Sequence, residues 1–364
     1  MKKNYFLNYL LFLSLFTTFF SCGTDDGNNY EEIPEETSPV VLDINAVPYP
    51  KLSDYKLYEG ELKNIEPAYK VIPYDLNTPL FTDYAHKKRF IWMPKDTKAT
   101  YTTDAQIPDF PIGTILVKNF YYEDVLPNDV TRIIETRIMI KKPEGWIFAN
   151  YVWNDEQTEA TLNVNGGTVP LEWSQNGETM AINYKVPSQE QCTTCHSLNG
   201  TYTPIGVKPQ NLNKLYDYKD GTLNQLSKWI QEGYLDNKPT NINSTVDWTD
   251  TSQSLELRAR SYLDINCAHC HTPGGDCDEA PMNFAFSQTN IPENLGVCVE
   301  PEDFVTGNQQ YIVDAQDPRG SLLYFRVETT IQTEMMPNLG RTVTHTEGLE
   351  LLEEWITNME VSCP

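Results

Sequence analysis

Two copies of one pentad, Cys-x-x-Cys-His, stand in the second half of the chain: Cys192-Thr-Thr-Cys195-His196 and Cys267-Ala-His-Cys270-His271. Few short patterns restrict a chain as strongly. Two thiols at this spacing, followed at once by an imidazole, meet the requirement for attaching a c-type haem. The thiols take the porphyrin's two vinyl groups, the histidine takes the iron, and the opposite face is left for a second side chain. The pentads draw on a pool of only 8 Cys and 5 His in 364 residues. They predict two covalently bound haems, with Cys192, Cys195, Cys267 and Cys270 as anchors and His196 and His271 as proximal iron ligands.

Zinc is the main rival, because thiolate and imidazole also suit tetrahedral zinc sites. The N-terminus argues against it. Lys2 and Lys3 precede an interrupted apolar stretch, Leu7 to Phe20, with the shape of a secretory signal and too short for a comfortable membrane span. Ser21-Cys22-Gly23 then reads as a lipoprotein cleavage site, giving a signal peptide over 1–21 and a lipidated Cys22. Phe19 and Phe20 depart from the commonest lipobox, and ordinary signal cleavage is the alternative. Export places the chain in an oxidising compartment, where c-type haem is attached and free zinc thiols are less at home. Residues 22–45 read as an acidic disordered tether. The expected location is the periplasm or cell surface, on the outer membrane of a Gram-negative bacterium.

The net charge is −24, with no basic stripe. This excludes nucleic acid as a partner and leaves the lipid anchor as the contact with the membrane. It favours a redox partner protein with a positive docking patch.

The expected fold is α+β and multidomain: a β-rich, sandwich-like domain over 46–187, then α-helical cytochrome c-type haem domains. The runs Phe110–Tyr122, Arg132–Ile140 and Gly145–Trp153 carry the β-branched and aromatic bias of strands, with turn signals at 141–145 and 165–167. A first haem module is placed at 188–247 and a second haem domain at 248–364. Helices are expected over Thr222–Tyr234, from Trp248 into Cys267, from Asp317-Pro318 to Arg326, and over Glu347–Met359. A helix running into the pentad resembles the start of a class I cytochrome c. Met336-Pro337, ahead of the terminal helix, resembles its distal-ligand loop. Met336 is the expected distal ligand of the second haem, with Met335 as the alternative. His269 is expected to point away from iron, and His345 to cap the last helix or sit on the surface.

The first haem lacks an obvious distal ligand. His86, Met180, Met282 and Lys208 are the candidates, and an open face is the remaining option. An open iron would allow a peroxidase-like reaction, the alternative to simple electron transfer, and no catalytic residue is assigned. Of the remaining cysteines, Cys277 and Cys298 are the candidate disulfide within three possible pairings, and Cys363 is expected to stay free.

The stretches from Pro79 to Phe90, Arg132 to Arg137, Tyr151 to Ala160, and Asp264-Ile-Asn-Cys-Ala-His-Cys-His-Thr-Pro-Gly-Gly275 together resemble one family. These are the largely uncharacterised bacterial di-haem c-type cytochromes with an N-terminal β region, exported or lipid-anchored. The resemblance covers most of the chain after residue 50. It implies haem binding and electron transfer, and it supplies no substrate.

Overall fold

β-branched and aromatic runs divided by tight turns build one large antiparallel sheet. The computed structural model describes residues 36–302 and 309–364. The expected signal segment 1–21, Cys22 and the expected tether through residue 35 lie outside the described residues. The chain divides into Met1–Thr37 and Ser38–Pro364, and the fold is that of the second unit.

A two-stranded ribbon comes first, β1 (Tyr58–Glu59) with β2 (Glu66–Pro67). The main sheet follows: β3 (Ile72–Tyr74), β4 (His86–Trp92), β5 (Ile115–Val125), β6 (Val130–Lys142), β7 (Gly145–Trp153), β8 (Ala160–Leu162), β9 (Gly167–Gln175) and β10 (Glu178–Val186). All eight strands pair antiparallel, in the order β10-β9-β5-β6-β7-β8, with β4 on the free side of β5 and β3 on β4. Bulges in β5 turn its far end onto β9, so that Val125 pairs with Trp173. Two more ribbons are β11 (Ser197–Leu198) with β12 (Thr201–Tyr202), and β13 (Leu215–Tyr218) with β14 (Gly221–Asn224). The helices are α1 (Gln189–His196), α2 (Pro209–Leu212), α3 (Gln225–Gln231), α4 (Leu255–Cys267), α5 (Leu322–Glu328) and α6 (Thr346–Thr357).

This overturns the expected fold class. The structure is mostly strand in antiparallel sheets, helices are few, and among the described residues no all-α, cytochrome-like haem domain is evident. The longest described helix, α4, has 13 residues. Nor do the described residues form two packed sheets of a sandwich; eight strands form one sheet, beside three two-stranded ribbons. The physical reason is a shared core. Tyr74, Leu116 and Trp146 from the strand region pack with Leu226 and Trp229 from 188–247 and with Ile265 from 248–364. The segment 188–247 buries its apolar side chains in this shared core and not in one of its own. Helical periodicity also overreached at three of the four starts, the last helix beginning at Thr346 beside the expected Glu347. Gly221–Asn224 pairs as β14, Ser254 rather than Asp250 caps α4, and the Asp317-Pro318 turn precedes a helix beginning at Leu322.

The strand alternation puts one face of the sheet, including Phe90, Val117, Ile138 and Tyr151, into a core of its own. Ser38 to Asn45, expected as the end of a disordered tether, joins this core. Val40, Leu42 and Ile44 pack on it, and the Trp92 indole donates to Ser38 Oγ at 2.9 Å. Helices α4, α5 and α6 enclose a separate core around Leu263, Leu323, Leu352 and Trp355.

The disulfide is Cys298–Cys363, not Cys277–Cys298, so Cys363 is not free. Both partners converge on one segment. The Cys298 amide donates to Val313 O at 2.9 Å, and the Ala315 amide donates to Cys363 Sγ at 3.4 Å. Cys277 is not in a disulfide, and its amide donates to Cys270 O at 3.2 Å. Among the described residues no helix is long and apolar enough to cross a membrane.

Candidate haem-binding site

The first pentad is folded as helix α1 by a capping box at its start. Ser188 Oγ accepts from the Gln191 amide at 3.2 Å, and Gln191 Oε1 accepts from the Ser188 amide at 3.0 Å. The helix rests on β7: Asn150 Nδ2 donates to Pro187 O at 3.0 Å and lies 3.9 Å from Cys192 Sγ. The His196 ring packs on Phe148 with centroids 5.0 Å apart. Its Nδ1 lies 2.8 Å from Thr203 O, a bond that requires the proton on Nδ1 and leaves the Nε2 lone pair for a metal. Burial pushes the imidazole down to about 3, with the Lys118 charge adding to the effect, so the ring is neutral.

The second pentad begins on the last residue of α4 and turns tightly. The Cys270 and His271 amides both donate to Cys267 O, at 3.1 and 3.0 Å, and the Phe284 amide donates to His271 O at 3.0 Å. A Cβ at Gly275 would lie 2.3 Å from Cys270 O, so this turn accepts only glycine there. Burial lowers His271 to about 4, and its Nδ1 is buried without a partner. Burial raises Cys192, and raises Cys267 to about 12.

Each pentad opens on a cleft. The first, about 130 Å³, is walled by Cys192, Cys195 and His196 on one side and by the sheet face carrying Leu116, Lys118, Arg137, Met139 and Phe148 on the other. The second, about 220 Å³, is lined by Cys267, Cys270, His271, Met282, Phe284 and Met336. The clefts share Cys195, His269, Asn266 and Pro337. Ligand atoms of Cys195, His269 and Cys270 all lie within 4.8 Å of one another. The Cys270 thiol donates to Cys195 with His269 alongside, which holds Cys195 low and Cys270 high. No pentad cysteine is in a disulfide. Two unbonded thiols and a neutral imidazole on each cleft fit the donor set that a c-type haem needs.

The other expected residues fall differently. Met336 lines the second cleft, whereas Met335 is buried away from it at 3% exposure. Arg341 pins the Met336 loop, with Nε donating to Met336 O at 3.1 Å and Nη2 to Arg326 O and Thr329 O at 3.0 and 2.8 Å. Asp83 holds the next residues, accepting from the Thr342 amide at 2.6 Å and from its hydroxyl at 2.9 Å. None of the donors weighed for the first haem lines its cleft. His86 is exposed at the start of β4 against Tyr121, Met180 packs in a different core, Met282 lines the second cleft, and Lys208 pairs with Asp264 at 3.6 Å. Lys118 and Met139 occupy the sheet wall there instead, and burial pushes the Lys118 amine down to about 7. His269 lies with its ligand atom near those of Cys195 and Cys270. It stands between the pentads.

Nothing in the sequence singled out Lys118, Arg137, Asn150, Asp83 or Arg341. The strand alternation of β5 to β7 is the signal that puts the first three on one face.

His345 is the N-cap residue of α6, as expected, but without a side-chain cap bond, and its side chain is half-buried and not on the surface. It stacks on Phe81 at 4.1 Å and 10°, and its Nδ1 lies 3.0 Å from the Tyr262 hydroxyl. Burial lowers it to about 4. The unfolded chain therefore takes the proton first: this stability is complete above pH ~6.5 and is lost as pH falls towards 4. The expected loss is on the order of 2–3 kcal/mol. Urea melts at about pH 7 and about pH 4.5 should show a smaller acid loss in His345→Phe than in the parent. Equal losses would show that His345 does not drive it.

The fold and the site together define a mostly-β chain carrying two joined thiol-and-imidazole clefts. Comparisons with protein families, curated proteins and solved structures return no match.

Proposed function

We propose that the chain is an exported, lipid-anchored electron-transfer protein that binds two covalent c-type haems. The observation that carries this reading is the pair of Cys-x-x-Cys-His pentads on two joined clefts, with Cys195, His269 and Cys270 within 4.8 Å of one another. When bound, haem supplies a one-electron iron couple whose potential is tuned by axial ligands and burial. The chain's own residues do the rest. Cys192, Cys195, Cys267 and Cys270 anchor, His196 and His271 present neutral imidazoles, and Met336 offers a thioether to the second cleft. Joined clefts bring one attachment edge of each site together, which suits passage of an electron through the molecule. A redox protein is the partner, and Cys22 is the membrane anchor.

Two other readings have an observation each. The Cys195–His269–Cys270 cluster has three of the four ligands of a zinc site. Zinc there leaves Cys192, His196, Cys267 and His271 without a role, whereas haem uses them all. Polar Lys118, Arg137 and Asn150 on the first cleft favour a peroxidase-like reaction at that site.

The protein made in a haem-attaching host should carry two haems per chain that survive denaturation, by pyridine haemochrome and intact mass. Bound zinc with no covalent haem would sink the proposal. A high-spin spectrum that responds to peroxide would move it to the enzyme.

A further inference from the structure

Three basic residues stand directly opposite one another across three strands of this acidic protein. Arg89 on β4 pairs with Lys118 on β5, and Lys118 pairs with Arg137 on β6. The row continues to Asn150 on β7, beside Cys192. Like charges directly opposite on a sheet destabilise it, so a chain keeps such a row for a reason.

The available acids do not satisfy it. Lys87, Arg89, Lys118 and Arg137 lie near enough to act on one another, against Asp75 and Glu135. Asp75 is shared with Lys214 at 3.5 Å, and Glu135 also accepts from the Tyr184 hydroxyl at 2.7 Å. Arg89, with a side chain 2% exposed, bonds Asp75 through Nη1 at 2.6 Å, yet its Nε and Nη2 are buried without partners. Arg137 reaches Glu135 through Nη2, and its Nε is likewise unpartnered. The Lys118 amine makes no hydrogen bond or ion pair among the described residues. Lys118 and Arg137 both face the first cleft, in which His196 lies.

We infer that Lys118 and Arg137, with Arg89 behind them, form a seat for carboxylate or similar oxyanion groups in the first cleft. Charge-assisted bonds would give the surplus cations the partners that the protein withholds. Two sources offer that chemistry. One is the pair of propionates on the haem itself, which leave the ring at the edge away from its thioethers. The row runs away from Cys192 in that sense, with Lys118 two strand spacings, about 10 Å, from Asn150. The other is a free small oxyanion. The first source rests on the two-haem reading; the seat itself does not.

The test compares the haem-loaded parent with Lys118→Met and Lys118→Arg. With the haem's own carboxylates in the seat, Lys118→Met should shift the propionate bending bands in the resonance Raman spectrum. It should also lower one of the two midpoint potentials, and Lys118→Arg should restore both. Inorganic phosphate should then change nothing. A saturable phosphate-induced spectral shift in the parent, absent from Lys118→Met, would assign the seat to a free oxyanion. Unchanged bands and midpoints with no phosphate response would overturn the inference. So would conversion of one haem to high spin in both variants, which would make Lys118 an iron ligand. If the parent carries no covalent haem, the electron-transfer reading falls while the seat is still tested. Phosphate should then raise the melting temperature of the parent and not of Lys118→Met, and an equal response of the two would refute it.

Discussion

Changing Cys267 and Cys270 to serine should lower covalent haem from two per chain to one, and changing Cys192 and Cys195 should do the same at the other site. A thioether needs a thiol, and serine supplies none. All four thiols are free of disulfides, and each pair stands with its own histidine on its own cleft. The losses should therefore be separable, and changing all four cysteines should leave none. Haemochrome absorbance per chain reads the stoichiometry directly. The remaining haem should not be wholly indifferent, because Cys195 and Cys270 touch and Asn266 walls both clefts. A modest shift of its absorption bands is expected. Two haems retained in either double variant would refute attachment at these pairs.

Met336→Ala should lower one midpoint potential by on the order of 0.1 V, a fraction of the range over which axial ligation tunes haem. A thioether is soft and neutral and favours Fe(II), so its loss favours Fe(III). The geometry behind this is the loop. Arg341, 4% exposed, grips the carbonyls of Met336, Arg326 and Thr329, and Asp83 holds the residues that follow. Met335→Ala is the matched control. That side chain is buried away from the cleft, so its truncation should cost roughly 2–5 kcal/mol of stability and leave both midpoints in place. A redox titration of the two variants checks both statements, and an unmoved midpoint in Met336→Ala would remove the residue from the iron.

The parts of the site that were readable in advance are those whose chemistry is local. Cys192 to His196 and Cys267 to His271 carry their spacing in five consecutive residues, and no folding is needed to see it. The strands from Ile115 to Trp153 were readable for the same reason: β-branched bias and turns act over a few residues. Which segments share a core is not legible in this way, because apolar stripes on short segments do not say what covers them. Trp229 reads as the buried side of a helix, and it is on α3, but what covers it is Tyr74 and Trp146 of the sheet region. The pairing of Cys298 with Cys363 was hidden because nothing local brings those residues together across 65 positions.

The sequence by itself determined which atoms are available to the proposed haems: four thiols for the vinyl groups and two imidazoles for iron, set by spacing along a few bonds, and the Met336 thioether beside a proline. Only the tertiary structure decided how those sites are related. It brought Cys195 against Cys270 and set His269 between the pentads. It tied Asp83 to Thr342 across 259 residues and lined up Arg89, Lys118 and Arg137, the last two on the cleft of His196. Contacts at that separation depend on strand register and on a core shared by distant segments, and neither is written in any local stretch of the chain.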